Sequence, residues 1–206
     1  MRVSFAGVLN EGVSAKDLIL FTIRELSASG GAGYAIEFAG SAIEALSVEA
    51  RLTLCNMTTE LSAFTGLIAP DQKVLDYCAG RRYAPQAEVW HQANQHWQSL
   101  RSDEGAAFDQ EHHFDIGSLK PQLSWGTSPH HCVDWDAAIP HAGDAPDASA
   151  STAWQRAQDY MGVTPGSQLS DYALDAAFIG SCTNSRLSDL QLAAAYLERT
   201  GYKVAK

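Results

Sequence analysis

The stretch Phe178-Ile179-Gly180-Ser181-Cys182-Thr183-Asn184-Ser185-Arg186 joins an apolar segment to the start of a helix. Residues 173–179 are apolar apart from Asp175, a pattern that predicts a short buried strand. The glycine permits a turn, and the three polar residues after the cysteine are of types that cap helices. Leucine and alanine then recur at helical spacing up to a stop at Gly201. The stretch therefore predicts a strand, a tight loop carrying Cys182, and a helix.

The loop cysteine has two interpretations. At a helix start, backbone N–H groups and the helix dipole stabilise a thiolate, which is a nucleophile or a metal ligand. The alternative is a small buried cysteine in an ordinary strand-to-helix turn. Local chemistry leaves both open for Cys182.

Upstream of this stretch, strand and helix patterns alternate. Strands are predicted at about 3–9, 34–38 and 108–116, and helices at about 15–26, 41–49, 54–64, 72–78 and 86–100. Ser14 with Asp17 and Ser41 with Glu44 form capping boxes, and Asp71 caps the fourth helix. The alternation predicts an α/β fold.

The chain divides into three segments by composition. Residues 1–120 form an α/β domain. Residues 121–170 hold five of the seven prolines and predict an irregular interdomain connection with one short helix near 153–161. Residues 171–206 supply a single strand-loop-helix unit, the start of a further domain, which has no neighbour to cover its own sheet edges.

Composition excludes several classes of protein. A net charge of −10 argues against nucleic acid and against an anionic membrane surface. No run of eighteen apolar residues is present, and the N-terminus has no signal-peptide pattern, so we expect a cytoplasmic protein. Four widely spaced cysteines fit neither a disulfide framework nor a zinc ribbon.

Two further patterns suggest ligand sites at first sight. Gly30-Gly31-Ala32-Gly33 follows a helix and precedes a strand, whereas a phosphate loop needs the opposite order. The histidines at 112–113, 130–131 and 141 lack ligand spacing on a defined element, so we predict no metal site there.

Asn56 and Glu60 are four residues apart on a predicted helix and therefore share a face. An amide and a carboxylate on one face can bind a hydroxyl and orient a substrate. The alternative is a solvated polar face.

The amino-acid sequences of three segments resemble those of one protein family. Gly-Ser-Cys-Thr-Asn-Ser-Arg at 180–186 resembles the first cluster-cysteine motif of the aconitase superfamily, in particular its isopropylmalate dehydratase large subunits. Tyr-Ala-Ile-Glu-Phe-Ala-Gly at 34–40, followed by Arg-Leu-Thr-Leu-Cys-Asn-Met at 51–57, and Trp-Gly-Thr-Ser-Pro at 125–129 match in the same order. The resemblance covers nearly the whole chain and implies an aconitase-like α/β domain.

The resemblance implies a [4Fe–4S] cluster with Cys182 as the first of three thiolate ligands. The fourth iron is left open as a Lewis acid for the substrate. Asn56 then lies in the cluster environment and Glu60 touches the substrate hydroxyl or a bound water. Asn184 either bonds a cluster sulfur or caps the helix. Cys55 is not a ligand in this pattern, and we expect it to be buried and inert.

The implied reaction is the isomerisation of 2-isopropylmalate to 3-isopropylmalate by dehydration and rehydration, in leucine biosynthesis. The substrate is a small hydroxy-dicarboxylic acid, and the implied partner is a small subunit, or swivelling domain, that carries a serine base. Homoaconitase, aconitase and dimethylmalate dehydratase share the motif and are the alternative activities.

The family pattern also contains a Cys-x-x-Cys pair, an upstream Asp/Ser/His segment and substrate-binding arginines that the 206 residues do not include. We therefore expect an internal fragment of a dehydratase large subunit, with the cluster bound in the parent and none in the fragment, which is then inactive alone. Ser62-Ala63-Phe64-Thr65 differs from the smaller residues usual at that point. The remaining alternative is a cluster-free, non-enzymatic module.

Overall fold

A computed structural model describes residues 1–203, and the predicted segment 171–206 extends three residues beyond them. The chain separates into two compact units, Met1–Ser170 and Asp171–Lys206. The three-segment division made from composition stays a prediction. None of the helices within the described residues combines the length and the apolar character that crossing a membrane requires.

Strands and helices alternate through most of the first unit. They are β1 (Arg2–Ala6), α1 (Ala15–Leu26), β2 (Ala35–Ala39), α2 (Ser41–Ala45), α3 (Val48–Asn56), β3 (Thr65–Leu67), α4 (Gln72–Cys78), α5 (Ala87–Gln98), β4 (Glu111–Asp115), β5 (Gln122–Ser124), β6 (Cys132–Asp134) and α6 (Ala148–Met161). Short 3₁₀ turns occupy Met57–Leu61, Ala142–Asp144 and Leu169–Asp171.

The central sheet has four parallel strands in the order β3-β2-β1-β4. Val3 of β1 lies between Phe38 of β2 and His112 of β4 in the register. The chain builds outward from β1 to β3 and then returns to the other side of β1. This parallel sheet with connecting helices confirms the predicted α/β fold.

The main core lies on one face of this sheet. Alternate strand residues Val3, Phe5, Ile36 and Phe38 point into it and are at most 1% exposed. They pack against the apolar stripe of α1 formed by Leu18, Ile19 and Ile23. The residues between them, such as Arg2 and Glu37, lie on the opposite face and remain partly exposed.

Two of the predicted helix starts are confirmed. Ser14 and Asp17 form a capping box at α1, with the Ser14 N–H donating to Asp17 Oδ2 at 2.8 Å. Asp71 caps α4 by accepting from the Val74 N–H at 3.2 Å. In both cases a side-chain oxygen satisfies a backbone donor that the helix leaves free.

The predicted helix at 41–49 is wrong in detail. The chain forms two helices here, because Leu46 has an extended backbone (φ −63°, ψ 149°) after α2. Gly40, rather than a side chain, stands at the α2 N-cap, and Ser47 caps α3 by accepting from the Ala50 N–H. The Ser41–Glu44 capping box is therefore absent, and Ser47 caps the start of α3.

Residues 121–170 are more ordered than the composition suggested. Strands β5 and β6 pair antiparallel, and α6 begins at Ala148 under an Asp147 cap rather than near 153. Trp125 is 1% exposed, stacks on His131 at 4.6 Å between ring centroids, and meets Trp154 edge-on at 5.6 Å. The Trp-Gly-Thr-Ser-Pro segment thus anchors a small second core.

The second unit corrects the prediction for 173–179. These residues form no strand, and Leu174 and Phe178 are 82% and 90% exposed. The described residues of this unit contain no strand at all. An extended segment at 173–179 therefore has no neighbouring strand with which to form backbone hydrogen bonds. Helix α7 (Leu187–Thr200) and its stop at Gly201, which has φ +67°, are confirmed.

Candidate functional site

Asn56 and Glu60 stand at the end of α3 and in the 3₁₀ turn that follows it. Both residues are exposed. Neither side chain has a hydrogen bond or an ion pair with any residue that the structure describes. An amide and a carboxylate are therefore both free to contact a ligand at this helix end.

The relation between these two side chains differs from the prediction. The α-helix expected over 54–64 ends at Asn56, and Met57–Leu61 continues as 3₁₀ helix. A 3₁₀ helix rotates about 120° around its axis per residue, so side chains four residues apart point in directions that differ by about 120°. In an α-helix the same two side chains would differ by about 40°. Asn56 and Glu60 flank one helix end rather than lying above one another.

The 3₁₀ turn is fixed by the glycine-rich turn of residues 27–33. Gly31 donates its N–H to the Leu61 carbonyl at 2.8 Å, and the Ser62 hydroxyl donates to the Ala28 carbonyl at 2.8 Å. A Cβ on Gly31 would stand 2.9 Å from the Leu61 oxygen. The glycine segment, which the sequence order excluded as a phosphate loop, thus supports the turn carrying Glu60.

A second close approach lies beneath Asn56. A Cβ on Gly66 of β3 would stand 2.6 Å from Thr58 Cγ2 and 2.9 Å from the Cys55 Cα. Thr58 is buried and its hydroxyl donates to the Cys55 carbonyl at 2.7 Å. Cys55 is half-buried, and burial raises the pKa of its thiol to about 11, so it stays protonated. Strand β3 therefore packs closely against the C-terminal end of α3.

Cys182 lies exposed in a loop that closes on itself. The Ser181 N–H donates to the Ser185 hydroxyl at 3.1 Å, and the Asn184 N–H donates to the Ser181 hydroxyl at 3.0 Å. Gly180 has φ +140°, and a Cβ there would stand 2.7 Å from the Ser185 hydroxyl. The polar residues of the motif thus hold a turn that presents the thiol to solvent.

The predicted helix cap in this loop is wrong. Arg186, not Thr183, Asn184 or Ser185, is the N-cap of α7, and its N–H donates to Asp189 Oδ2 at 2.9 Å. Three residues separate Cys182 from this cap, and the helix dipole acts mainly within the first turn. The structure therefore exposes the Cys182 thiol to solvent, but it does not place the thiol in the first turn of α7, where the helix dipole acts.

The four cysteines differ in how accessible their thiols are to a metal ion. Cys182 is the exposed cysteine, whereas burial raises the pKa of the Cys132 thiol, like that of Cys55, to about 11. The Cys132 thiol also donates to the Leu20 carbonyl at 3.4 Å. In the part of the chain that the structure describes, no three His, Cys, Asp or Glu residues lie together as a metal site.

His130 and His131 pack in the small second core around Trp125. His131 is 4% exposed, and burial together with the neighbouring His130 lowers its pKa to about 4. The Ser128 hydroxyl lies 2.7 Å from His130 Nδ1. A Cβ on Gly126 would stand 2.4 Å from His131 Nδ1, so the glycine of the Trp-Gly-Thr motif makes room for this neutral imidazole.

Sequence reasoning missed one buried cation. Arg51 is 4% exposed, and its Nη2 donates to Asp71 Oδ2 at 2.6 Å and to the Glu44 carbonyl at 3.0 Å. It stands three residues before Leu54, on the buried face of α3. A charged residue among core positions needs a partner, so the position of Arg51 indicates an ion pair, although it does not identify Asp71 as the partner.

The sequence that carries the Asn56–Glu60 helix end and the Cys182 loop matches one protein family along its whole length. Residues 1–206 match the model of the aconitase family, described as aconitate hydratase, and the chain belongs to that family. It is similar to the 3-isopropylmalate dehydratase large subunit 1 of Bradyrhizobium diazoefficiens (strain JCM 10833 / BCRC 13528 / IAM 13628 / NBRC 14792 / USDA 110), with 52% identity over 194 residues. That match covers 94% of this chain, which spans 41% of the relative's length.

Proposed function

We propose that the chain is the part of a dehydratase large subunit that carries the first cluster cysteine, in an enzyme that interconverts 2-isopropylmalate and 3-isopropylmalate. The observation that carries the proposal is the exposed Cys182 in a self-closed Ser-Cys-Thr-Asn loop. The 52% identity to a relative named as a 3-isopropylmalate dehydratase large subunit supports this substrate over citrate or homocitrate.

Cys182 is proposed to supply one thiolate ligand of a [4Fe–4S] cluster in the assembled enzyme. Such a cluster, when bound, supplies an open iron that polarises a substrate hydroxyl. Asn184, beside the thiol, is proposed to orient the loop and to bond a cluster sulfur. The exposure of the thiol supports this role, because a metal ligand must be reachable.

Glu60 is proposed to hold or donate a proton at the departing hydroxyl, and Asn56 to orient the substrate beside it. Both side chains are exposed and make no bonds within the described residues. Two hydrogen bonds hold the end of the turn that carries Glu60, from the Gly31 N–H to the Leu61 carbonyl and from the Ser62 hydroxyl to the Ala28 carbonyl. Because the backbone of the turn is already held, the side chain is the part of Glu60 that has to be ordered against a substrate atom.

The words "large subunit" in the relative's name support a small-subunit partner, which we propose supplies the serine base that moves the carbon-bound proton. The 206-residue chain alone, without the other two cluster cysteines and the small subunit, is proposed to be inactive. All four cysteines are free thiols, which fits a reducing compartment, and we propose a cytoplasmic location.

The test uses the full-length large subunit containing this segment, assembled with its small subunit under anaerobic conditions. We expect turnover of 2-isopropylmalate in preference to citrate and homocitrate. Glu60→Gln should lower kcat about 100-fold by removing an acid–base group, whereas Glu88→Gln, exposed on α5, should leave kcat unchanged. Preferred turnover of citrate, or a Glu60→Gln enzyme with full kcat, would contradict the proposal.

A further inference from the structure

A cavity of about 380 Å³ lies beside the carboxyl ends of β2 and β3, in the first unit. Its lining carries both signs of charge, from Arg2, Glu37, Glu44, Arg51, Asp71 and Arg101. Apolar side chains, including Ile43 and Ile68, complete the wall. The volume is within the range of sites for small organic ligands, about 300–1,000 Å³.

Arg51 forms the buried end of this cavity. Its side chain is 5% exposed, and both of its hydrogen bonds use Nη2. Its Nε is buried and has no hydrogen-bond partner, and Nη1 donates to none of the residues that the structure describes. A buried guanidinium with unused donors is costly unless a further acceptor is bound.

Two charges at the mouth are also unused. Among the residues that the structure describes, the Arg101 guanidinium donates only to the Pro70 carbonyl, from Nε at 3.4 Å. The exposed Glu44 carboxylate makes no bond or ion pair with any described residue. The other lining charges already form pairs, Arg2 with Glu37 at 3.5 Å and Arg51 with Asp71 at 2.6 Å.

The remaining charges do not suit a simple ion. Because four of the six lining charges are paired, the uncompensated ones are Arg101 and Glu44, so a free anion would meet the Glu44 carboxylate and a free cation would meet the Arg101 guanidinium. A molecule that carries one charge of each sign can satisfy Arg101 and Glu44 together. The apolar wall then covers a short hydrocarbon side chain.

We propose that this cavity binds a small zwitterion, an α-amino acid with a short apolar side chain. Its carboxylate contacts Arg101 and the unused donors of Arg51, and its ammonium group contacts Glu44. Its side chain packs against Ile43 and Ile68. The proposal does not depend on the dehydratase reaction, since it uses none of the four residues proposed for that reaction, Asn56, Glu60, Cys182 and Asn184.

The test is a titration of the ¹⁵N-labelled 206-residue chain with L-valine, followed by NMR at the amides of Gly40 and Ala69, which line the cavity. Two matched probes each lack one charge, isovalerate the ammonium group and isobutylamine the carboxylate. We expect saturable shifts with L-valine and at least about tenfold weaker binding of each single-charge probe, because each loses a charged contact.

Variants at the exposed mouth test the two contacts without disturbing the core. Arg101→Gln and Glu44→Gln should each weaken L-valine binding about tenfold. Arg82→Gln and Glu88→Gln, exposed charges outside the cavity, should leave binding unchanged. Absence of a saturable L-valine shift, isovalerate binding as tightly as L-valine, or variants with unaltered affinity would each overturn the proposal.

Discussion

Gly31 and Leu61, thirty residues apart, are joined by a backbone hydrogen bond of 2.8 Å from the Gly31 N–H to the Leu61 carbonyl. This bond ties the glycine-rich turn to the 3₁₀ helix that carries Glu60. Gly31 has no room for a side chain, because a Cβ would stand 2.9 Å from both the Leu61 oxygen and the Ala63 Cβ. The position of a proposed catalytic carboxylate is therefore set by a distant glycine.

Gly31→Ala should destabilise the first unit by about 1–3 kcal/mol, because the new methyl group displaces the turn that the bond holds. Urea unfolding of the 206-residue chain measures this free energy. Gly143→Ala is the matched control, since a Cβ there meets no atom within 4 Å. Equal stabilities of the two variants would show that the contact at Gly31 does not constrain the turn.

Asp71→Asn should lower the free energy of unfolding by about 2 kcal/mol, because it leaves the Arg51 charge buried without its partner. Asparagine keeps the helix cap, so the ion pair is the interaction lost. Asp136→Asn is the comparison, because its partner Lys120 is exposed and the pair contributes little. A smaller loss for Asp71→Asn than for Asp136→Asn would contradict the buried-pair assignment.

The Asp71 contribution should also depend on pH in one direction. The hydrogen bond from Arg51 lowers the pKa of Asp71 below its ordinary value. The ion pair's stabilisation is therefore fully present above the pKa of an unfolded aspartate, about 4, and is lost as pH falls through the lower pKa of the folded protein. Unfolding at pH 7 and at pH 3 should show a larger wild-type advantage over Asp71→Asn at pH 7, and an equal or larger advantage at pH 3 would contradict this account.

The cysteines should differ in reactivity. A pKa of about 11 leaves the Cys55 and Cys132 thiols only ~10⁻⁴ ionised at pH 7, and thiolates are the reacting species. Brief alkylation of the native chain with iodoacetamide, followed by peptide mass spectrometry, should modify Cys182 well before these two. Unfolding in urea should abolish the difference. Modification of Cys55 or Cys132 at the rate of Cys182 in the native chain would show that they are not buried as described.

Local signals predicted much of the fold. Ser14 with Asp17, and Asp71, are capping side chains whose effect reaches only three residues, so the sequence suffices to place α1 and α4. The alternation at Val3 and Phe5 reports a strand with one buried face. The order of strands and helices is enough to indicate a parallel sheet.

What could not be predicted depends on distant partners. Arg51 finds Asp71 twenty residues away, and Gly31 finds Leu61 thirty residues away. Residues 173–179 have the composition of a strand, but a strand also needs a neighbour, and the described residues of their unit supply none. The motif located Cys182, whereas the turn that exposes it depends on bonds among its own polar neighbours.

The most direct test of the account is Cys182→Ser in the full-length large subunit, with iron and acid-labile sulfide content and the broad visible absorption measured after anaerobic reconstitution. Cys78→Ser is the control, since this cysteine lies in α4 and outside the motif. We predict that Cys182→Ser loses the absorption and the stoichiometric iron, whereas Cys78→Ser keeps both. A Cys182→Ser protein with a complete cluster would contradict the assignment of this thiol as a ligand.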